Sequence, residues 1–401
     1  GLIAAVVHRF LTSKLSIILI ILSLCLGVAA ILVTPREEDP QIVVPLADIY
    51  VNAPGASAEE VEKLVATPLE RLLWQIDGVE YVYSMSSQDM AVVTVRFYVG
   101  QERENSILKV HNRIAMYQDT APPIVQGWVI KPIEIDDVPI VNLTLFSDRY
   151  DDHELRRMGE EILARLSAVK DISRTQIVGG RHREIRVELL PERIAGLGIS
   201  LPEVRQALMG ADASVTAGTF SRANQSITVT ANAFLTSAAE VGSLVVGVHD
   251  GRPVYLRDIA TVIDGPAEAD TYSRIGYSHY FRDTNQLTET PLAYPAVTLA
   301  LANQQGTNAV RVAANILGEL ETLKREIIPD DVRVEITRNT GHTAQQKVNE
   351  LLTSLAFAIG TVVILLAFSL GWREALVVAL AVPISFSLAL FVNYIFGYTI
   401  N

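Results

Sequence analysis

The stretch Ile42–Val99, "IVVPLADIYVNAPGASAEEVEKLVATPLERLLWQIDGVEYVYSMSSQDMAVVTVRFYV", decides the fold. Its opening, "IVVPLADIYV", alternates apolar and polar residues as a strand does. Ser57 with Glu60 forms a capping-box pattern. Val61, Leu64, Val65, Leu69, Leu72, Leu73 and Ile76 then mark one helical face. Pro68 should kink or split that helix, because it lacks an amide hydrogen and crowds the preceding turn. "GVEYVYSMSS" and "MAVVTVRFYV" read as two more strands around the turn-prone "SQD", and "NSILKVHNRIAMY" as a second helix. The unit is β-α-β-β-α.

The order recurs downstream. "VPIVNLTLFS" is a strand, and "DHELRRMGEEILARLSAV" is a helix striped by Leu155, Met158, Ile162, Leu166 and Val169. "ISRTQIVGG" and "REIRVELL" are strands, and "YPAVTLALA", "TNAVRVAANILGELETLKREI" and "VRVEIT" repeat strand, helix, strand. Repeated β-α-β units with helices on one face predict split βαβ, ferredoxin-like layers with right-handed crossovers. Between the copies, "ISLPEVRQALMG" reads as a short helix capped by Ser200 and Glu203. Strand-rich segments follow it, so 183–291 is expected to be an inserted domain. Its last part, "AEADTYSRIGYSHYFRDTNQLTETPLAY", has little periodicity. It is either a plain surface loop or a contact surface anchored by Tyr277, Tyr280 and Phe281.

Charge is distributed unevenly along the 401 residues. Residues 15–33, 351–370 and 375–396 contain no Asp, Glu, Lys, Arg or His. Each run meets the roughly 20 apolar residues needed to cross a bilayer core of about 30 Å. The first has the basic lead-in and small residues of a signal peptide, but Ile31, Leu32 and Val33 prolong it, which favours a retained span. The last two, joined by "GWRE", read as a helical hairpin, with a buried soluble hairpin as the alternative. Arg9 and Lys14 before the first run and Arg373 in the tight turn put residues 1–14 on the cytoplasmic side and 34–350 outside. Trp372, Tyr394 and Tyr398 suit the membrane interface. The single cysteine, Cys25, leaves the long middle without disulfides, and the net charge of −12 argues against a nucleic-acid partner.

Several segments, taken in order, resemble the resistance-nodulation-division (RND) exporters of Gram-negative inner membranes. They are "PGASAEEVEKLVATPLERLLWQIDGVEYVYSMSS" (Pro54–Ser87), "GLGISLPEVRQAL" (Gly196–Leu208), "VYLRDIATV" (Val254–Val262), "GTNAV" (Gly306–Val310) and "GWREALVVALAVPISF" (Gly371–Phe386). The resemblance implies membrane α-helical spans plus an α+β periplasmic region, made of two porter subdomains and an inserted docking subdomain. The first porter subdomain would be 41–137, the second 138–182 with 292–340, and the docking insert 183–291. It further implies the N-terminal portion of a multi-pass, proton-driven homotrimer. Such a pump would work with a periplasmic adaptor and an outer-membrane channel, on drugs or other amphiphiles taken from the periplasm or bilayer. By the same resemblance Ile140, Asn142, Gln176 and Val178 would line the substrate cleft, and Val215, Ser221 and Asn224 would lie on the hairpin that docks a neighbouring subunit. Some relatives line that cleft with phenylalanines, whereas Pro139–Val141 and Gln176–Val178 are aliphatic or polar here.

No enzyme site or cofactor is expected. His249 beside Asp250 reads as a turn, and no histidine pair has metal-ligand helical spacing. "GGRHREIRVE" reads as a charged strand edge. Met85 and Met90 are expected to fill core. The metal-exporting branch of the family would want soft sulfur ligands. Membrane-buried acids are retained for function, and these runs hold none, so the proton relay is expected beyond this chain. Alternatives to a drug exporter are a heavy-metal exporter and a non-transporting, membrane-anchored scaffold.

Overall fold

The computed structural model describes residues 15–36, 44–133, 137–211, 215–222, 225–231, 235–284 and 292–396. A 19-residue helix, α1 (Leu15–Val33), comes first. The first layer then runs β1 (Leu46–Asn52), α2 (Ala58–Glu60), a π-helical stretch (Val61–Ala66), α3 (Thr67–Leu73), β2 (Val79–Ser87), β3 (Met90–Phe97), α4 (Arg103–Met116) and β4 (Gly127–Ile133). The strand order is β2-β3-β1-β4, all antiparallel. Ser57 and Glu60 cap reciprocally as expected. Pro68 does not break the helix, which runs on from Ala58 to Leu73 but is π-helical ahead of it. It sits in the first turn of α3, where its missing donor costs nothing, and the turn ahead of it widens so that Thr67 N–H reaches Glu62 O.

The second layer comes from two separate parts of the chain. β5 (Val141–Phe146), α5 (Asp152–Leu166) and β6 (Ile172–Val178) precede the insert. The insert holds β7 (Arg183–Leu189), α6 (Pro191–Leu197), α7 (Leu201–Ala211), β8 (Val215–Arg222), β9 (Gln225–Ala231), α8 (Ala238–Gly242), β10 (Val245–His249), β11 (Arg252–Tyr255), α9 (Leu256–Ile259) and β12 (Ala260–Pro266). β13 (Arg274–Ile275) and α10 (His279–Thr284) lead back to β14 (Tyr294–Asn303), α11 (Ala309–Glu326) and β15 (Arg333–Asn339). β14 lies between β6 and β5, and β15 pairs with β5 on its other side. Both layers therefore share the antiparallel ferredoxin-like order, with helices on one face only.

Alternation explains the cores. Val141, Leu143 and Leu145 of β5 and Val297, Leu299 and Leu301 of β14 pack under α5 and α11 with Leu155, Ile162, Val312 and Ile316. In the first layer Ala91, Val93, Val95 and Phe97 of β3 do the same beneath the helices. A third core under the insert joins Val204, Val246, Leu256 and Ile259.

The charged segment after β6 leaves the sheet. β7 pairs with β12, and Arg183 forks onto the Asp264 carboxylate at 2.7 and 2.5 Å. At the crossing point Arg181 grips Asp152 on α5, with its Nη2 2.6 Å from Oδ1. Gly180, at φ +72°, lets the chain pass within 2.6 Å of the Asp152 carbonyl oxygen as measured from where a Cβ would stand. His249 and Asp250 end the β10–β11 hairpin, with Asp250 and Gly251 both at positive φ, as the turn reading expects.

Several expectations change. Met85 is exposed rather than core, because it shares the helix-free face of the first sheet with Tyr81 and Tyr83. The helix expected at 351 begins at Thr340: α12 (Thr340–Ser369) starts directly from β15, with the Asn339 side chain accepting from His342 N–H. Its polar first turns pack on α11, where Gly341 abuts Ala313. Gly371, at φ +112°, turns the chain into α13 (Trp372–Ile395), which carries Pro383 inside it. α12 and α13 are long and apolar enough to cross a membrane. α1 packs along α13, and Arg36 just beyond α1 donates to Gln345 of α12 at 2.6 Å. Arg9, Lys14, Asn224 and Tyr398 lie outside the described residues.

Candidate functional site

The helix-free face of the second sheet concentrates the polar and aromatic chemistry. Period-two alternation sends Asn142, Thr144 and Phe146 of β5 to this face. Register places Ala300 between Asn142 and Gln176, and Thr298 between Thr144 and Val178. The Thr144 hydroxyl is 2.9 Å from that of Thr298 and 3.0 Å from that of Thr337, so three strands are tied by one hydroxyl ladder. The Asn142 Oδ1 is buried without a hydrogen-bond partner. An unpaired buried acceptor of this kind costs about 1–3 kcal/mol.

An aromatic corner closes one end of the ladder. Phe146 meets Tyr294 at 5.4 Å and Tyr277 at 6.2 Å between ring centroids, and Tyr277 stacks on Phe281 at 4.8 Å. The Arg333 guanidinium lies 5.7 Å from the Phe146 ring and 5.5 Å from that of Tyr294. Burial, then the Glu335 carboxylate nearby, push the Tyr277 phenol above its usual range. Phe146, Tyr294 and Thr144 are buried within this face, so its accessible part offers the Gln176 amide, the Thr298 and Thr337 hydroxyls, Arg333 and the rings of Tyr277 and Phe281, a combination suited to molecules with both apolar and polar parts.

Asn142, Gln176 and Val178 come together on this face, with Val178 exposed. Ile140 does not join them. It turns to the opposite face and is 6% exposed in the core beneath the helices. The aromatic residues that the sequence reading sought at 139–141 and 176–178 stand further along, at Phe146, Tyr277 and Tyr294. The spacing Asn142, Thr144, Phe146 was a readable signal for Phe146. Tyr294 and Tyr277 needed the fold, because the segment after β13 carries them back onto β5. Of the loop anchors, Tyr277 stacks on Phe281 at this corner, Phe281 remaining 44% exposed, while Tyr280 is 81% exposed. Val215 starts β8 and Ser221 lies near its end, paired with Ser226 across the β8–β9 hairpin. Among the described residues no group of three His, Cys, Asp or Glu is placed to hold a metal ion.

A family model described as the AcrB/AcrD/AcrF family matches residues 5–401. Multidrug resistance protein MdtC of Erwinia amylovora is 29% identical over 401 residues, covering 98% of this chain and 37% of that relative. MdtC of Serratia proteamaculans is 28% identical, covering 94% of this chain and 35% of the relative. The chain is also similar to the crystal structure of a heavy metal efflux pump. The TM-score is 0.77 at 21% identity, over 100% of this chain and 38% of that one. At that identity the likeness concerns the fold. The chain spans little more than a third of the length of the relatives it matches.

Proposed function

The chain belongs to the AcrB/AcrD/AcrF family of RND transporters, which is not a family of enzymes, and we propose that its residues serve a proton-driven pump that exports drugs or amphiphiles. In this reading the pump sits in a Gram-negative inner membrane with the two sheet layers in the periplasm. It works as a homotrimer with a periplasmic adaptor and an outer-membrane channel. The observation that supports the choice of substrate is the open face of the second sheet. There Gln176, Val178, Thr337 and Phe281 are exposed and Asn142, Thr298 and Tyr277 half-buried, backed by the buried Thr144, Phe146 and Tyr294. The exposed Val178 and Phe281 side chains take apolar bodies, and the Gln176 amide and the Thr298 and Thr337 hydroxyls take their polar substituents. The relatives named multidrug resistance protein point the same way.

The similar heavy metal pump motivates a second reading, export of a metal ion. Soft ions want thiolate or thioether ligands, whereas the described open face presents hydroxyls, amides and rings. The test is expression of the native gene in a Gram-negative strain stripped of its own pumps, with efflux followed for a panel of amphiphilic dyes and drugs and for copper, silver and zinc. Protection against amphiphiles that changes profile with Val178→Trp at equal expression supports the proposal. Protection against metals alone would favour the second reading. No efflux of either class from a correctly inserted protein would leave a scaffold.

A further inference from the structure

A cavity lies in the first layer, away from the open face just described. It measures about 270 Å³ and sits between α3, α4 and the β1–β4 edge of the sheet. Its wall is apolar, with Val65, Leu69, Leu72, Ile114, Val125 and Trp128 facing in. Arg71 is the single charged side chain among the lining residues. It is exposed and makes no ion pair or hydrogen bond among the described residues.

The helix is locally reshaped at this place. Val65 belongs to the π-helical stretch, and Pro68, also in the lining, begins the next helical segment. A π turn adds a residue to the helical circuit and is frequent at functional sites. Here it sets Val65 and Leu69 along the cavity wall.

We propose that this cavity binds a small anionic amphiphile, with a carboxylate or sulfonate on Arg71 at the mouth and a compact aromatic or short aliphatic body inside. Size sets the body: an apolar cavity of about 150 Å³ accepts benzene, and this one has room for a two-ring system. Charge sets the head. A free guanidinium beside an apolar wall attracts a planar anion through paired, charge-assisted hydrogen bonds. The site does not depend on what the second sheet handles.

The test uses the full chain in lipid nanodiscs with Cys25→Ser, carrying Leu72→Cys in one protein and Val125→Cys on the opposite wall in another. Labelling by N-ethylmaleimide is timed with naphthalene-1-sulfonate and with 1-naphthylamine, a neutral two-ring counterpart without the sulfonate. The sulfonate should slow labelling at both positions. Arg71→Gln should raise the concentration for half-protection by about tenfold, Arg71→Lys by less, and neither should change the effect of the neutral amine. Absence of protection at both cysteines overturns the proposal, as does sulfonate protection that Arg71→Gln leaves intact. A Val178→Cys protein reports on the second sheet. Protection there without protection in the cavity overturns this proposal and leaves the reading of the second sheet standing.

Discussion

Gly27 of α1 lies directly against Ser387 of α13: a Cβ built on the glycine would overlap the serine Cβ and Oγ. Ser387 is buried by this contact at 7% exposure. Small residues let helix backbones approach where lipid supplies no hydrophobic drive between helices. The contact anchors the N-terminal helix to the far end of the chain, which no sequence period announces.

Gly27→Ala should therefore destabilise the helix cluster by about 1–3 kcal/mol, the usual cost of overpacking. Gly27→Leu should cost more, and Ser387→Gly should recover part of the loss from Gly27→Ala. Thermal unfolding of the purified chain in one detergent measures all three. Equal stability of Gly27→Leu and the parent would dismiss the contact.

The Arg181–Asp152 pair should be a pH-dependent latch between the second layer and the insert. The guanidinium hydrogen bonds hold the Asp152 carboxyl below its ordinary range, against the opposing effect of burial. Because the folded value is depressed, the stabilisation is fully present above the unfolded carboxylate range near about 4. It fades as pH falls through the lower folded value. Asp152→Asn should cost about 1–2 kcal/mol at neutral pH, and the gap from the parent should narrow on acidification. Denaturant midpoints across pH 3–7 (about the span over which carboxylates titrate) check this. A gap that widens toward acid contradicts the latch.

Phe146 is fully buried although it lies on the helix-free face. Phe146→Ala should cost about 3–5 kcal/mol and loosen the segment that carries Tyr277 and Phe281. Hydrogen exchange should rise at 272–284 and stay unchanged in the first layer. Arg333→Gln, which removes only the cation over the two rings, should cost about 0.5–1 kcal/mol.

Asn339 caps the helix that runs unbroken from the second layer toward the membrane. Asn339→Ala should destabilise that joint by about 1 kcal/mol, and Asn339→Asp or Asn339→Ser should largely restore it. Helical protection at 340–345 by hydrogen exchange is the readout. Unchanged protection in the alanine variant would show that packing on α11 alone holds the turn.

Local chemistry was legible in particular places. Ser57 and Glu60 announced a helix start, Asp250–Gly251 a hairpin turn, and the uncharged runs their helices, whereas the helix continues through Pro68 with a π turn ahead of it. Ile140 shares the parity of Asn142 but lies just before β5, outside its alternation, and Met85 was misread for a different reason. Alternation shows that neighbours point to opposite faces, but it does not say which face the helices cover. The start of α12 at Thr340 was missed because its first turns are polar, and only contact with α11 explains why they are helical.

By itself, the sequence determined the elements, their caps and turns and the two-layer plan, because each depends on residues within one or two turns of one another. Tertiary structure alone decided that β7 leaves its sheet for β12, that β14 slots between β5 and β6, and that Tyr277 and Tyr294 return to Phe146. Those partners are separated by up to about 150 residues. Hydrogen-bonding edges of strands are chemically alike, so pairing is settled by which apolar faces can be covered at once, a property of the assembled chain.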